Sequence, residues 1–552
     1  MKQLSHDGIE RSLSDVLRKT VVPVLLLLCL LYGSLVNRQW QPEWDSAFYI
    51  ELSRSMISGQ GFTYLGHPET KFLPGFPLLL SPIILLFGKN YLLMNFLIIL
   101  FAGASFWLTY RLFSEFFSKE YSALIAIMTS LSWFIVDQST YIMTDVPYMA
   151  LSLASLLLIN RLLVNQGSIL CFLLLPLAIL ITCFVRTVGL SLLMTFLVLP
   201  FVSRTNCSFH RKNNPVLFRL ALTTLIVLTP VVVWQLRNSR VAIDKNEPLA
   251  VLEEFAPYSE LQMRSMPFEP DSPRIDAKLL LLRAIKNITY YAAQTDCVVL
   301  GLRIDTSVDA LRTHSKLVLA LLGVLSLIIM AGFVQSVVSH RRVFDIYVVL
   351  YFPFLIAFSS RQPRYLVPII PFILHYCWSG SRWILHRALP MNRKVLFMSV
   401  GGLCFVSYFM LANLVMDVGI VAAQRRQPFY QNDSPSSIRP VQSFFNVVDW
   451  VQANAAPNTR VSSVMAPWVV LRTERWCVSY PWVKNERTIL TFFQKVGIDY
   501  LIVAPSWRNK DKLATVLIDA YPKLFTEVFR DGEARVYKIE KENLNRILGG
   551  YK

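Results

Sequence analysis

Residues 43–77 read EWDSAFYIELSRSMISGQGFTYLGHPETKFLPGFP. An apolar run at 21–36, read as a first membrane span, precedes this stretch directly. Asp45 stands at the foot of a short amphipathic helix expected over 46–57, and Lys71 opens a Pro/Gly-rich return that runs to Pro77. An acid and a base held at a membrane surface point to chemistry on a lipid head group rather than to simple anchoring.

The composition places this stretch in a polytopic membrane protein. Of 552 residues, 54% are hydrophobic and only 16% charged, where a soluble domain carries about 25% charge. The mean hydropathy is +0.45. The net charge of +18 would suit nucleic acid in a soluble protein. Here the basic residues lie mostly between apolar runs, which fits topology signals and a lipid bilayer and excludes a nucleic-acid partner. The 8 Cys include no CxxC, and several sit inside apolar runs, where they read as small buried hydrophobes. The first apolar run lacks a small-residue cleavage site and reads as a retained anchor.

The fold class expected is mainly α: a transmembrane helical bundle of about eleven spans with a small C-terminal extracytoplasmic α/β domain. The spans are placed at 21–36, 91–113, 121–137, 146–163, 169–185, 187–203, 216–236, 316–338, 344–359, 365–386 and 394–417. The run 76–88, short and punctuated by Pro77 and Pro82, reads as a re-entrant or interfacial helix. With the N-terminal segment 1–20 in the cytoplasm, Arg18, Lys19, Arg111, Lys119, Arg204, Arg211, Lys212, Arg341, Arg342, Arg387, Arg393 and Lys394 fall inside. That is the bias that sets orientation in a plasma (inner) membrane. The transmembrane domain then covers 21–417, with outer loops 37–90 and 237–315. A linker at 418–440 leads to the outer domain 441–552. There, helical patterns at 441–454, 489–496 and 513–520 alternate with strand patterns at 460–465, 500–503 and 525–539.

This topology puts the unusual polar residues on one side. Asp45 follows the first span, Asp145 begins the fourth, and Arg186 caps the fifth. Arg237 and Asn238 end the seventh, and Arg361, Arg364 and Tyr365 precede the tenth. Ionisable groups at membrane depth are costly and face a cavity or a partner.

In their order these motifs resemble the GT-C superfamily of integral-membrane glycosyltransferases. Within it they are most similar to the bacterial branch that includes protein O-mannosyltransferases and the aminoarabinose transferase of lipid A. The likeness rests on the acid after the first span, the amphipathic helix, the FLPGFPLLL return, Asp145 in YIMTDVP, WQLRN at 234–238 and RQPRYLVPIIP at 361–371. Ser46 stands where that family often carries a second acid. The resemblance implies transfer of a hexosyl or pentosyl group from a polyprenyl-phosphate-sugar donor to a hydroxyl acceptor of the cell envelope. It implies Asp45 as general base with Asp145 as a second catalytic acid, and Lys71, Arg237 and Arg364 on the donor phosphate. Arg186, Asn238 and Tyr365 would support them, and His67 and Glu69 would be the candidate ligands of a divalent metal. A lipid phosphate is already a leaving group, which agrees with the lack of any nucleotide-binding GxGxxG or GxxxxGK[ST] run. One base activating an acceptor for direct attack predicts inversion at the anomeric carbon.

Each residue also has a plainer reading. Asp45 could cap the helix 46–57 and Asp145 the fourth span. Lys71 could snorkel to the interface. Arg186 could pair with an acid to hold spans together, and Arg237 and Arg364 could anchor span ends. Trp40, Trp44, Tyr49 and Tyr64 read as interface anchors. The alternative function is a polytopic transporter or lipid flippase, whose inverted repeats find no counterpart in the unequal outer loops.

Overall fold

The computed structural model describes residues 22–164, 169–202, 216–244, 246–267, 269–303, 316–388, 390–426, 438–504 and 509–549. The N-terminal segment expected at 1–20, the basic loop 203–215 and residues 427–437 of the expected linker lie outside the described residues. The chain is mainly helical and divides into two units. One comprises Met1–Arg38, Tyr91–Val232 and Leu281–Arg426; the other comprises Gln39–Asn90, Val233–Leu280 and Gln427–Lys552.

The first unit is helical. Among the described residues of the chain, Tyr91–Ser114, Leu217–Val241, Val318–Ser339 and Met398–Arg425 are long and apolar enough to cross a membrane. Shorter apolar helices include Val22–Leu35, Ile169–Val185 and Val343–Ala357. Leu30, Leu173, Leu327 and Leu411 on these helices are exposed, as expected of side chains whose solvent is lipid. The helix Asp145–Val164 differs: Tyr148, Met149, Leu153, Leu156 and Ile159 are all buried. An all-round apolar helix of this kind belongs at the centre of its bundle.

Two expected spans are built differently from a single continuous helix. The run 121–137 is two helices, Lys119–Ser130 and Trp133–Gln138. The break holds because Ser132 is extended and the Trp133 N–H donates to Asn413 Oδ1 at 2.8 Å instead of continuing the ladder. The run 365–386 opens with the 3-10 turn Pro363–Ile369 before the helix Ile370–Ala388, since Pro363 and Pro368 remove two donors. That last helix crosses Lys316–Ser339 through glycine. A Cβ on Gly332 would collide with the Tyr376 carbonyl, and one on Gly380 with the Ile328 carbonyl. Small residues that let backbones touch are the usual device of membrane helix pairs.

The segment 277–300, part of the expected outer loop 237–315, is a 24-residue helix, Ala277–Leu300. Arg283, Lys286, Asn287 and Asp296 dilute its hydropathy and hid it from the sequence pattern. Asn287 Nδ2 donates to the carbonyls of Leu355, Ile356 and Phe358 at 3.2, 2.8 and 2.9 Å. It thereby satisfies the open C-terminal end of Val343–Ala357.

The second unit has its core in a mixed five-stranded sheet. Its strands follow a small hairpin, β1 (Thr63–Tyr64) and β2 (His67–Pro68). They are β3 (Val461–Ser463), β4 (Cys477–Val478), β5 (Tyr500–Val503), β6 (Phe525–Asp531) and β7 (Ala534–Ile539). The sheet order is β4-β3-β5-β7-β6. β3 runs parallel to β4 and β5, with Val461 opposite Tyr500; β7 is antiparallel to β5 and β6. The helices Ile438–Asn454, Ala466–Thr473 and Glu486–Val496 belong to the same unit. In Glu486–Val496, Asn485 caps the start and Gly497, at φ 75, ends it, with Ile489, Leu490, Phe492, Phe493 and Val496 buried. Strand β4 and the helix Ala466–Thr473 carried no clear pattern in sequence, being only two and eight residues long.

Candidate active site

In the second unit the helix Trp44–Ile57 begins before position 46, where the sequence pattern starts it. Glu43 is its N-cap residue and Asp45 lies inside the first turn, so Asp45 is not the cap. The next residue, Ser46, is fully buried and accepts a hydrogen bond from Trp40 Nε1 at 2.9 Å. A second acid there would be sealed from water. Phe48 of the same helix packs on Tyr64 and Phe72 at ring distances of 4.4 and 4.9 Å, which docks the hairpin onto the helix. Trp40, Trp44, Tyr49 and Tyr64, expected as interface anchors, are core residues of this unit.

The hairpin turns at Leu65 and Gly66, both at positive φ (51° and 85°), as a two-residue turn between antiparallel strands requires. It delivers His67, Glu69 and Lys71 in sequence. Glu69 is only 3% exposed. Its Oε1 accepts the backbone N–H of Lys71 and, at 3.1 Å, that of Phe72. Burial pushes its carboxyl up, while those two amides and the Lys71 charge oppose the shift. His67 packs edge-on against Phe255 at 5.3 Å. One Glu69 oxygen, Oε1, is held by these amides; among the described residues no group of three or more His, Cys, Asp or Glu is arranged around a cation.

Arg237 and Asn238, at the end of the helix Val216–Val241, grip the same loop. Arg237 Nη1 donates to the Glu69 carbonyl at 2.5 Å and to Asn238 Oδ1 at 3.0 Å, and its guanidinium lies 4.8 Å from the Trp234 ring centroid. Asn238 Nδ2 donates to the Thr70 carbonyl at 3.3 Å.

Lys71 therefore projects from a pinned backbone. Its Nζ lies 3.2 Å from Glu253 Oε1, and each of the two side chains is 13% exposed. This is not a snorkelling lysine. Burial alone would lower its pKa, but the carboxylates of Glu253, Asp45 and Glu69 outweigh it and hold the ammonium above its ordinary range. Lys71 is thus a fixed cation at neutral pH, with Asp45 acting on it. The sequence reading missed Glu253. Its neighbour Glu254, also buried, accepts from Ser479 N at 2.9 Å and Ser479 Oγ at 2.7 Å.

The first unit gathers the other expected residues. Asp145 is the first residue of its helix, and its side chain is 1% exposed. Its Oδ1 accepts from Arg186 Nη1, while Oδ2 is buried with no hydrogen-bond partner among the described residues. The Arg186 side chain is 17% exposed and sits 4.9 Å from the Tyr365 ring centroid and 5.9 Å from that of Tyr148. Arg364 lies within electrostatic reach of Arg186, with Nη1 3.9 Å from Met143 Sδ. Around them Tyr148 and Tyr347 share a hydrogen bond at 3.3 Å, and Tyr351 donates to the Tyr365 carbonyl at 2.8 Å. The structure brings together Asp145, Arg186, Arg364 and Tyr365 in one unit, and Asp45, Lys71, Arg237 and Asn238 in the other.

Gly189 closes the 3-10 turn Thr187–Gly189 that follows Arg186. A Cβ there would come within 2.8 Å of the Cys183 N and 2.9 Å of its Cα. Gly189→Ala is expected to push the turn 187–189 away and to carry Arg186 off Asp145. The cost is about 1–3 kcal/mol, the range for overpacking. A drop in the thermal unfolding midpoint of the detergent-solubilised protein checks this, and an unchanged midpoint contradicts it.

No family model matches the chain, and no curated protein matches its sequence. Solved structures do match its fold. ArnT from Cupriavidus metallidurans, bound to undecaprenyl phosphate, superposes at TM-score 0.57 with 13% identity, over 94% of this chain and 97% of that one. The archaeal oligosaccharyltransferase AglB from Archaeoglobus fulgidus, in complex with an inhibitory peptide and a dolichol-phosphate, superposes at TM-score 0.51 with 13% identity, over 87% of this chain and 69% of that one. The chain shares the fold of ArnT and of the oligosaccharyltransferase AglB.

Proposed function

We propose that this protein is a membrane glycosyltransferase. It moves a hexosyl or pentosyl group from a polyprenyl-phosphate-sugar donor to a hydroxyl acceptor on the extracytoplasmic face of the plasma membrane. The acceptor is a glycolipid, polysaccharide or protein of the cell envelope. Eleven crossings, a cytoplasmic N-terminus and an outer C-terminal domain at 441–552 belong to the same reading. The observation that supports it is Lys71: a largely buried, backbone-pinned cation with Asp45 acting on it.

In the reaction proposed, the Asp45 carboxylate takes the proton of the acceptor hydroxyl. The acceptor oxygen bonds to the anomeric carbon as the bond from that carbon to the phosphate oxygen breaks. The lipid phosphate leaves with the bonding electrons, and its charge rests on Lys71. Attack from the face opposite the leaving group inverts the anomeric centre. Arg237 gives two of its hydrogen bonds to the 62–70 loop, so part of its proposed service to the phosphate is to hold Lys71 in place. In the first unit Asp145 is paired with Arg186, and Arg364 lies within electrostatic reach of that arginine.

The purified protein in lipid nanodiscs, given a panel of polyprenyl-phosphate sugars and an extract of envelope acceptors, is expected to release free polyprenyl phosphate with acceptor present and to label that acceptor with sugar. A panel that yields neither product, while the protein carries an ion or lipid across vesicle membranes, would favour the transporter instead.

A further inference from the structure

Lys71 is not waiting with an empty hand: the carboxylate of Glu253 is on it at 3.2 Å. Both groups offer what an incoming lipid phosphate and its site would exchange, an oxyanion and an ammonium. Lys71 itself has little room to move. Its backbone N–H is tied to Glu69, and the loop before it is tied to Arg237 and Asn238. The backbone on the other side is also held. Pro248–Val251 is a 3-10 turn, Ala256 N donates to the Leu252 carbonyl at 2.9 Å, and Glu254 is fastened to Ser479 by two hydrogen bonds. Between these anchors the Glu253 carboxylate meets the Lys71 ammonium.

We infer that Glu253 is the resting counterion of Lys71, which a lipid phosphate displaces and which returns to expel the spent lipid phosphate. The inference rests on the donor reading above and names a residue that sets donor selectivity and product release. A polyprenyl-phosphate sugar is a diester with one negative charge; the product is a monoester with up to about two. Lys71 holds the phosphate most tightly when the second charge has appeared. That helps the bond break, and it also threatens to trap the product. A carboxylate tethered within reach of the same ammonium competes at high local concentration and lowers that trap. It also excludes neutral lipids, which cannot displace an anion from a half-buried cation.

The test measures binding of polyprenyl phosphate, neutral polyprenol and inorganic phosphate to the full chain in nanodiscs. Glu253→Gln keeps the shape and removes the competing charge. It is expected to lower the Kd for polyprenyl phosphate about three- to tenfold, the size of a partly buried ion-pair term, and to leave polyprenol unchanged. Glu253→Ala is expected to act in the same direction. In Lys71→Ala/Glu253→Gln the gain should vanish. Wild-type-like or weaker binding of polyprenyl phosphate by both Glu253 variants overturns the inference and leaves the donor reading standing. A gain seen with inorganic phosphate alone assigns the position to free phosphate and overturns it too. A wild-type chain that binds no polyprenyl phosphate removes the donor reading, and this inference with it.

Discussion

Asp45→Asn is expected to lower sugar transfer by about two to four orders of magnitude, the usual worth of a positioned general base. The donor KM should stay close to that of the wild type. The substitution keeps the side-chain shape, so the effect isolates the proton acceptor. Asp45 lies in the first turn of Trp44–Ile57 without being its cap. The loss of one negative charge near a helix N-terminus costs at most about 1 kcal/mol. Ser46 and the Trp40 contact are untouched, and so is the Phe48 packing that seats the hairpin. The protein should therefore fold, and donor binding, which needs Lys71, should survive. Measured together, an intact donor affinity and a collapsed turnover separate a base from a structural acid. Transfer by the Asp45→Asn variant at the wild-type rate would sink the assignment. The absence of a second acid at position 46 sharpens the test, because Ser46 is buried under Trp40 and offers no substitute base.

Much of this was legible in the chain and some of it could not be. Apolar runs long enough to cross a membrane announce themselves by composition, and Tyr91–Ser114 and Val318–Ser339 stand close to where the runs placed them. Ala277–Leu300 stayed hidden because charged and amide side chains sit among its leucines, and because its Asn287 serves a helix end rather than water. Asp145 and Arg186 could be seen as lone charges in apolar surroundings, but not that each is the other's partner. Lys71 stood out in a Pro-rich return. Glu253 did not, since nothing local marks a glutamate that finds its lysine 182 residues away. The four aromatics near the first span show the same limit. Trp40 looks like an interface anchor until Phe445 and Trp468, some four hundred residues on, close over it at 6.4 and 5.8 Å. Local pattern gives an aromatic its chemistry; only the fold says what covers it.

Lys71→Ala is expected to reduce kcat/KM for the donor about a hundred- to a thousandfold, as the loss of one preorganised charge at a leaving group does. The acceptor KM should hardly move. Two effects add in this variant and can be told apart. The first is direct: the phosphate loses the fixed cation that neutralises its growing charge, so turnover falls along with donor affinity. The second is indirect. Glu253 and Asp45 lose a counter-charge they share, which destabilises the protein by less than the about 3–5 kcal/mol of a fully buried broken pair, since the Lys71 and Glu253 side chains are each 13% exposed. Lys71→Ala/Glu253→Gln removes the stranded charge, so it should regain most of the lost thermal stability and none of the lost turnover. Lys71→Arg keeps a cation but spreads it over a planar fork. It should restore donor binding more fully than kcat, because the phosphate can still be reached while the geometry of the departing oxygen is not reproduced. Donor affinity equal to that of the wild type in Lys71→Ala would remove the phosphate role from Lys71. The Glu253 contact would then be a purely structural ion pair.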